Sequence, residues 1–555
     1  MGRKAKHVLL TGGLVSGLGK GSVLAGIGRS LQDRGIVVNV IKIDPYLNED
    51  AGGMSPAEHG EVFVLEGGEE VDQDFGVYER ELELILSGKN NITTGKMWKR
   101  IREKERRGDY GGRTVQYFPD FVNEIEEWLS SVSQTTMTRK GIQPADVCLI
   151  ELGGGLSSYE IDIYLEAFGR LRSKYGKENF LHIHLDVLVD VLGQFKTLPI
   201  QDSINRLKRK QLTPDLLLYR HKNEINSGAK VKLSETCMVE NLFDIPFLEN
   251  KEQLCGFLSK SGVVECISEQ LKLELKSEKG LVAEWKRLHR LAPEPGKVVR
   301  IGIVAKYNIN HDAYLSLTKA ICDCARSLRY SVEITIIDAE QLEEGLEAAI
   351  AKLLIADGIL VAGGFGVRGV NGKIMACKHA REKRIPYLGI CLGMQVVVIE
   401  AARNLLGLYD ATSTEFDPET ANKIILKTEN SKENQGGGSM CLGAKKSEIL
   451  LEDSLAKKIY KNSFVIERHR HRYEMNVEYA EALKEKGVVV TMVDEKTRMP
   501  SFVEVRGHPF MVGTQSHPEF TSSIFTPSPI YCEFLKAALE NKKCKTSMGL
   551  NTTNE

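Results

Sequence analysis

The sequence predicts an α/β protein of two domains, each a mostly parallel sheet flanked by helices. Three observations carry that prediction. Apolar runs of strand length alternate with helical patterns in both halves of the chain. In each half one such strand runs through a glycine turn directly into a helix, at His7–Thr11 and again at Ile385–Ile390. The chain has 555 residues, and single cores stop growing near roughly 250–300.

Composition narrows the class. Lys+Arg 74 against Asp+Glu 75 leaves a net charge of −1, which offers no electrostatic footprint for nucleic acid or a membrane surface. The basic run Lys99–Arg107 reads as a solvated helix face. Eleven cysteines are scattered with no Cys-x-x-Cys pair, so neither a zinc site nor a disulfide framework is expected. The apolar run after the basic start spans only Val8–Leu10, too short for a signal peptide, and no stretch reaches transmembrane length. A cytoplasmic enzyme is the expectation.

Taken in order, the strand His7–Thr11 leads into Gly12-Gly-Leu-Val-Ser-Gly-Leu-Gly-Lys-Gly-Ser22 and a helix reaching about Arg34. A glycine loop between strand and helix turns backbone N–H groups and a helix terminus toward phosphate, and a lysine adds charge. Ser16, Gly17, Leu18, Gly19, Lys20 and Gly21 form that loop. It departs from the Walker A spacing, because Leu14 stands where the first glycine should and Gly21 separates Lys20 from Ser22. A second strand, Gly35–Asp44, carries Lys42 and Asp44 at its carboxyl end, where open parallel sheets bind ligands. The polar stretches 44–48, 54–64 and 72–80 read as functional loops beside it. Asp146–Glu151 is a further strand that places Glu151 at the same edge. Asp74 and Glu151 are candidate Mg²⁺ ligands, because Mg²⁺ takes carboxylate and phosphate oxygens.

The break at Ala292-Pro-Glu-Pro-Gly296 separates the halves. We expect a first domain over 1–275, a linker over 276–297, a second domain over 298–542 and a disordered tail over 543–555. Val298–Val304 restarts strand–helix alternation, and Gln435–Gly438 reads as a flexible loop. The strand Ile385–Ile390 ends in Gly389-Ile-Cys391-Leu-Gly393, a nucleophile elbow with a thiol in place of serine. Small flanking residues permit the sharp turn, and the helix terminus favours the thiolate. A nucleophilic thiol needs a base, and the base an orienting group. His517-Pro-Glu519 supplies both, and Leu360–Gly366 ends a strand in glycines whose N–H groups suit an oxyanion.

Strand plus Gly-Gly, then Gly-x-Cys-x-Gly, then His-Pro-Glu resembles the class I glutamine amidotransferases. The resemblance implies that Cys391, His517 and Glu519 hydrolyse glutamine through a thioester and release ammonia. The whole chain resembles the CTP synthases. Gly12–Gly21, Lys42-x-Asp-Pro-Tyr46, Met54–Val64, Tyr78-Glu-Arg80, Thr93-Thr-Gly95, Lys104–Tyr110, Gly363–Gly369, Ser413–Phe416, Glu467–Tyr473 and His517–Glu519 stand as that family has them.

That resemblance implies a reaction and a set of sites. The first domain would be an amidoligase binding ATP and UTP, in which ATP phosphorylates the 4-oxygen of UTP and ammonia displaces the phosphate to give CTP. ATP phosphates would meet residues 16–21 and Lys42; Asp74 and Glu151 would hold Mg²⁺. UTP, or CTP as feedback inhibitor, would meet Ser16, Glu160, Lys196, Thr197, Gln201 and Lys232. L-glutamine would be held by Gly364, Leu392, Gly393, Met394, Gln395, Glu415 and Arg472. GTP activation, a homotetramer and filaments are further family expectations. The sequence departs from the family at Ser158, where an Asp is usual, and at Leu198 and Ile200, which replace Lys and Thr in the stretch that would read the pyrimidine triphosphate, so both survival and relaxation of CTP feedback stay open. Ser516 replaces a Phe. Two alternatives stay open: another glutamine-dependent ligase, and a catalytically inactive scaffold or filament paralogue.

Overall fold

The computed structural model describes residues 4–15, 17–223, 227–248, 253–307, 311–428 and 440–547, so the expected loop Gln435–Gly438 lies outside the described residues. The chain forms two compact units, one of residues 1–53 and 74–287, the other of 54–73 and 288–555. The units are therefore not two consecutive stretches: residues 54–73, expected as loops beside the phosphate loop, group with the C-terminal unit. The expected linker contains the helix Leu281–His289, and the helix Pro529–Ser547 extends into the stretch expected to be a disordered tail.

In the first unit, seven strands lie in the order Asn241–Pro246, Leu216–His221, Phe180–Val187, Lys6–Gly12, Val147–Leu152, Val38–Asp44, Asn91–Thr93. Every pairing is parallel. The strands Val38–Asp44 and Val147–Leu152 are buried along their whole length, as parallel strands covered on both faces must be. The helix Lys20–Asp33 covers one face, packed beside Asp74–Leu82 and Leu254–Leu258. Helices contributing Met97, Ile125, Phe168, Ile204 and Leu233 share one core on the other. Register sets the site, because Leu10 and Lys42 both lie opposite Glu151 at the carboxyl edge.

The second unit is built on a nine-stranded sheet. Its first five strands, Ser331–Asp338, Val298–Ala305, Gly358–Val361, Tyr387–Ile390 and Met511–Thr514, are parallel. Four antiparallel strands follow, Pro500–Val505, Val488–Asp494, Cys441–Ile449 and Phe464–His471. Alternate residues feed opposite cores: Ile359, Val361 and Tyr387 face the helices Val370–Lys383 and Leu392–Leu405, while Leu360, Leu388 and Ile390 face Leu315–Ser327 and Pro529–Ser547. Cys324 is buried on the helix Leu315–Ser327. A hairpin of Val62–Val64 and Glu70–Asp72 belongs to this unit and lies against its edge strand. Among the described residues no helix is long and apolar enough to cross a membrane.

Candidate active site

The elbow is built as its glycines require. Cys391 joins the strand Tyr387–Ile390 to the helix Leu392–Leu405 with φ +53° and ψ −104°, a strained conformation for a non-glycine residue. A side chain at Gly393 would come within 2.2 Å of the Val361 carbonyl oxygen, and one at Gly389 within 2.4 Å of the Gly393 oxygen. The backbone N–H of Cys391 is anchored to Thr514 O at 2.7 Å. Its thiol donates to Arg470 O at 3.5 Å and receives the Gln515 amide at 3.7 Å.

The expected partners converge on this thiol. A Cβ at Gly363 would lie 3.1 Å from His517 Cε1 and 3.4 Å from Cys391 Cβ, so imidazole and cysteine flank one glycine. His517 Nδ1 donates to Glu519 Oε1 at 2.7 Å, and Glu519 Oε2 accepts from the Tyr531 hydroxyl at 3.0 Å. His517 Nε2 is buried without a hydrogen-bond partner among the described residues. Burial opposes protonation of His517, yet the Glu519 carboxylate and the Cys391 sulfur outweigh it and raise its pKa to about 10. Phe520 stacks on the ring at 5.1 Å. The departure at Ser516 has a structural partner: its hydroxyl donates to Glu467, whose carboxyl is pushed up to about 6 by burial.

The residues expected around glutamine also gather near the elbow. Leu392 opens the helix, where N–H groups have no partner within it, and Gly393, Met394 and Gln395 complete the buried first turn. Gly364 sits at φ +154° over Lys306. Lys306 donates to the carbonyls of Phe365, Gly366 and Arg368, and burial lowers its pKa to about 8. Glu415 accepts the Gly366 N–H at 2.7 Å; Arg472 lies 5.8 Å from the centre of the Phe365 ring. Sequence reasoning missed Lys306 and Lys373. The latter is fully buried and ties the carbonyls of Ala362 and Gly363 at 2.6 and 3.3 Å, fixing the glycine loop from below.

In the first unit, Gly17 and Gly19 take φ of +75° and +78° to close the loop before the helix Lys20–Asp33. Ser16 lies outside the described residues. Leu18 is buried, and its carbonyl accepts Arg220 Nη1 at 2.8 Å. Lys20 reaches Gly154 O at 2.7 Å in the glycine turn after Glu151. Lys42 is buried and ion-paired to Asp74, with Asp44 at 3.3 Å. A methyl at Gly21 would lie 2.7 Å from Asp74 Oδ1 and 3.5 Å from Glu151 Oε2, so both carboxylates converge over the helix start. Burial, and then the Asp74 charge, raise the Glu151 pKa, with Tyr78 donating to it. Two hard oxygen donors in a charge-crowded corner fit Mg²⁺. Asp186, whose carboxylate would collide with any side chain at Gly13, and Arg220 are loop neighbours without a cue in the sequence, since they come from other strands.

The pyrimidine set is more dispersed. Glu160 accepts from Ser158 in an exposed loop. Gln201 bonds Thr197 at 2.9 Å, and exposed Lys196 precedes them. Arg206, on the same helix as Gln201, reaches Ser158 O at 3.3 Å and Asp162 at 2.8 Å. Lys232 is exposed on the helix Ser227–Cys237, which packs against Leu198–Arg209. Ile200 is fully buried in the core, whereas Leu198 is 63% exposed, so of the two departures only Leu198 can face a ligand.

Both halves of the chain are similar in sequence to known proteins. A family model described as "CTP synthase N-terminus" matches residues 6–273, and one described as "Glutamine amidotransferase class-I" matches 310–537. "CTP synthase 2" of Xenopus laevis is 40% identical over 547 residues, covering 96% of this chain and 94% of that protein. "CTP synthase 1" of Homo sapiens is 38% identical over 557 residues, covering 96% and 93%. The solved "Trypanosoma brucei CTPS - glutaminase domain with bound acivicin" is 40% identical, covers 44% of this chain and 94% of that one, and has a TM-score of 0.41.

Proposed function

Since the chain belongs to the CTP synthase family of glutamine-hydrolysing ligases, we propose that it converts UTP to CTP with ATP and glutamine through the residues of these two sites. The observation that carries the reading is the His517–Glu519 pair at 2.7 Å beside a cysteine held in a strained elbow. With its proton already held on His517 Nε2, the Cys391 sulfur attacks the glutamine carboxamide carbon. N–H groups of Gly364 and Leu392 face the developing oxyanion. Collapse forms the thioester, and the leaving ammonia takes the proton from His517. Water, deprotonated by His517, then releases glutamate and restores the thiol. Glu519 holds the imidazole's tautomer and offsets its charge throughout. Glu415 and Arg472 meet the ammonium and carboxylate of the glutamine.

At the phosphate loop, residues 17–21 and the helix start bind the ATP phosphates, and Lys20 and Lys42 balance charge as the γ-phosphoryl moves to the UTP 4-oxygen. Ammonia adds at the carbon bearing that oxygen, the C–O bond breaks and the oxygen leaves as part of inorganic phosphate, giving CTP. Asp74 and Glu151 would hold Mg²⁺, which neutralises phosphate charge when bound. Glu160, Lys196, Thr197, Gln201 and Lys232 read UTP; the exposure of Glu160, Lys196 and Lys232 supports that role. The test is absorbance-monitored CTP formation from UTP, ATP and Mg²⁺ with glutamine or ammonium. Turnover with either is expected, and silence with both overturns the reading in favour of a scaffold.

A further inference from the structure

Outside the catalytic residues, the second unit brings one cysteine and two histidines together. His469 and His471 project from one face of the strand Phe464–His471, and Cys441 lies directly opposite His471 on the neighbouring strand Cys441–Ile449. One ligand atom from each, a sulfur and two ring nitrogens, lie within 4.8 Å of one another. His469 Nδ1 is 3.1 Å from His471 Nε2. Two imidazole nitrogens bound to a single zinc ion at about 2.0–2.1 Å stand roughly 3–3.5 Å apart, so the pair already has the spacing of shared ligands. The Tyr473 carbonyl, 3.1 Å from His471 Nδ1, can only accept. His471 Nδ1 therefore carries the proton and Nε2 presents its lone pair inward, the second contact that orients metal-binding histidines.

We propose that Cys441, His469 and His471 form a binding site for a borderline divalent transition-metal ion of the zinc class, with the fourth position open to water. Thiolate and imidazole donors select such ions over Mg²⁺ or Ca²⁺. Binding releases the Cys441 proton and moves the His469 proton from Nδ1 to Nε2. No single stretch of sequence announces the site, because Cys441 lies across the sheet from the His-x-His pair.

The test uses the full chain titrated with Co²⁺, which reports tetrahedral thiolate coordination through a sulfur-to-cobalt charge-transfer band and strong visible absorption. Cys391 lies beside the same strand through Arg470 O, so the titration is repeated in Cys391→Ala. One equivalent per chain is expected, with the band kept in Cys391→Ala, lost in Cys441→Ala, and binding weakened at least about tenfold. Glutamine hydrolysis, assigned above to residues of the same unit, certifies that Cys441→Ala is folded, and Cys441→Ser serves if it is not. Absence of the band, its persistence in both Cys441 variants, or its loss in Cys391→Ala would overturn the proposal.

Discussion

His517 Nδ1 stands 2.7 Å from Glu519 Oε1, and the second oxygen of that carboxylate is held by Tyr531 at 3.0 Å. The carboxylate is thus fixed from behind while its charge faces the imidazole. The folded-state pKa of His517, raised from 6.5 to about 10, makes a pH statement. A raised value contributes stability that is fully present below the unfolded pKa and is lost as pH rises through the folded one. Melting temperature is expected to fall between about pH 6.5 and 10, and Glu519→Gln is expected to flatten that slope. The same variant should cut glutamine-dependent turnover about 10²–10⁴-fold while leaving ammonium-dependent turnover intact. An unchanged pH slope in the variant would contradict the pairing.

The role proposed for Glu151 would set function against stability. Burial and the neighbouring Asp74 charge raise its pKa, so ionising it costs the folded state free energy that grows as pH rises above the unfolded value. Glu151→Gln removes that cost and can still accept the Tyr78 hydroxyl. Without nucleotide it is expected to be more stable, by on the order of 1 kcal/mol, in thermal melts. CTP formation should be lost with both nitrogen donors. A destabilised but active variant would show that Glu151 is a structural carboxylate.

Glu70 and Arg470 form an ion pair at 2.7 Å with both side chains largely buried, and Arg470 supplies the carbonyl that receives the Cys391 thiol. Glu70→Gln is expected to cost about 2–3 kcal/mol and to lower glutamine-dependent turnover while sparing that with ammonium. Differential scanning calorimetry and the two assays together check it. Equal losses with both donors would separate this pair from glutamine hydrolysis.

Much of the site was legible because its parts are local. A thiol between glycines two residues away on each side, and a histidine two residues from a glutamate, are patterns a short stretch contains in full. Cys391, His517 and Glu519 converge as their motifs imply, and the fold class follows from strand–helix alternation. What escaped the sequence is long-range. Arg220 and Asp186 reach the phosphate loop from other strands of the sheet. Lys373 touches the glycine loop from the following helix, where it reads as an ordinary helical lysine. The segment 54–73 precedes Asp74 in the chain, yet Arg468 donates to Val64 O at 2.9 Å; pairing across 404 residues leaves no local pattern. Ile200 reads as a lost hydroxyl in sequence and is core in space.

The most direct measurement is CTP formation by Cys391→Ala with glutamine and, separately, with ammonium. Glutamine is predicted to support no turnover above background. Ammonium is predicted to support the wild-type rate within about a factor of two, the result required by the proposal that Cys391 acts only in releasing nitrogen. Loss of the ammonium-dependent reaction would contradict the assignment of Cys391 to glutamine hydrolysis, and retention of the glutamine-dependent one would contradict the elbow as the nucleophile.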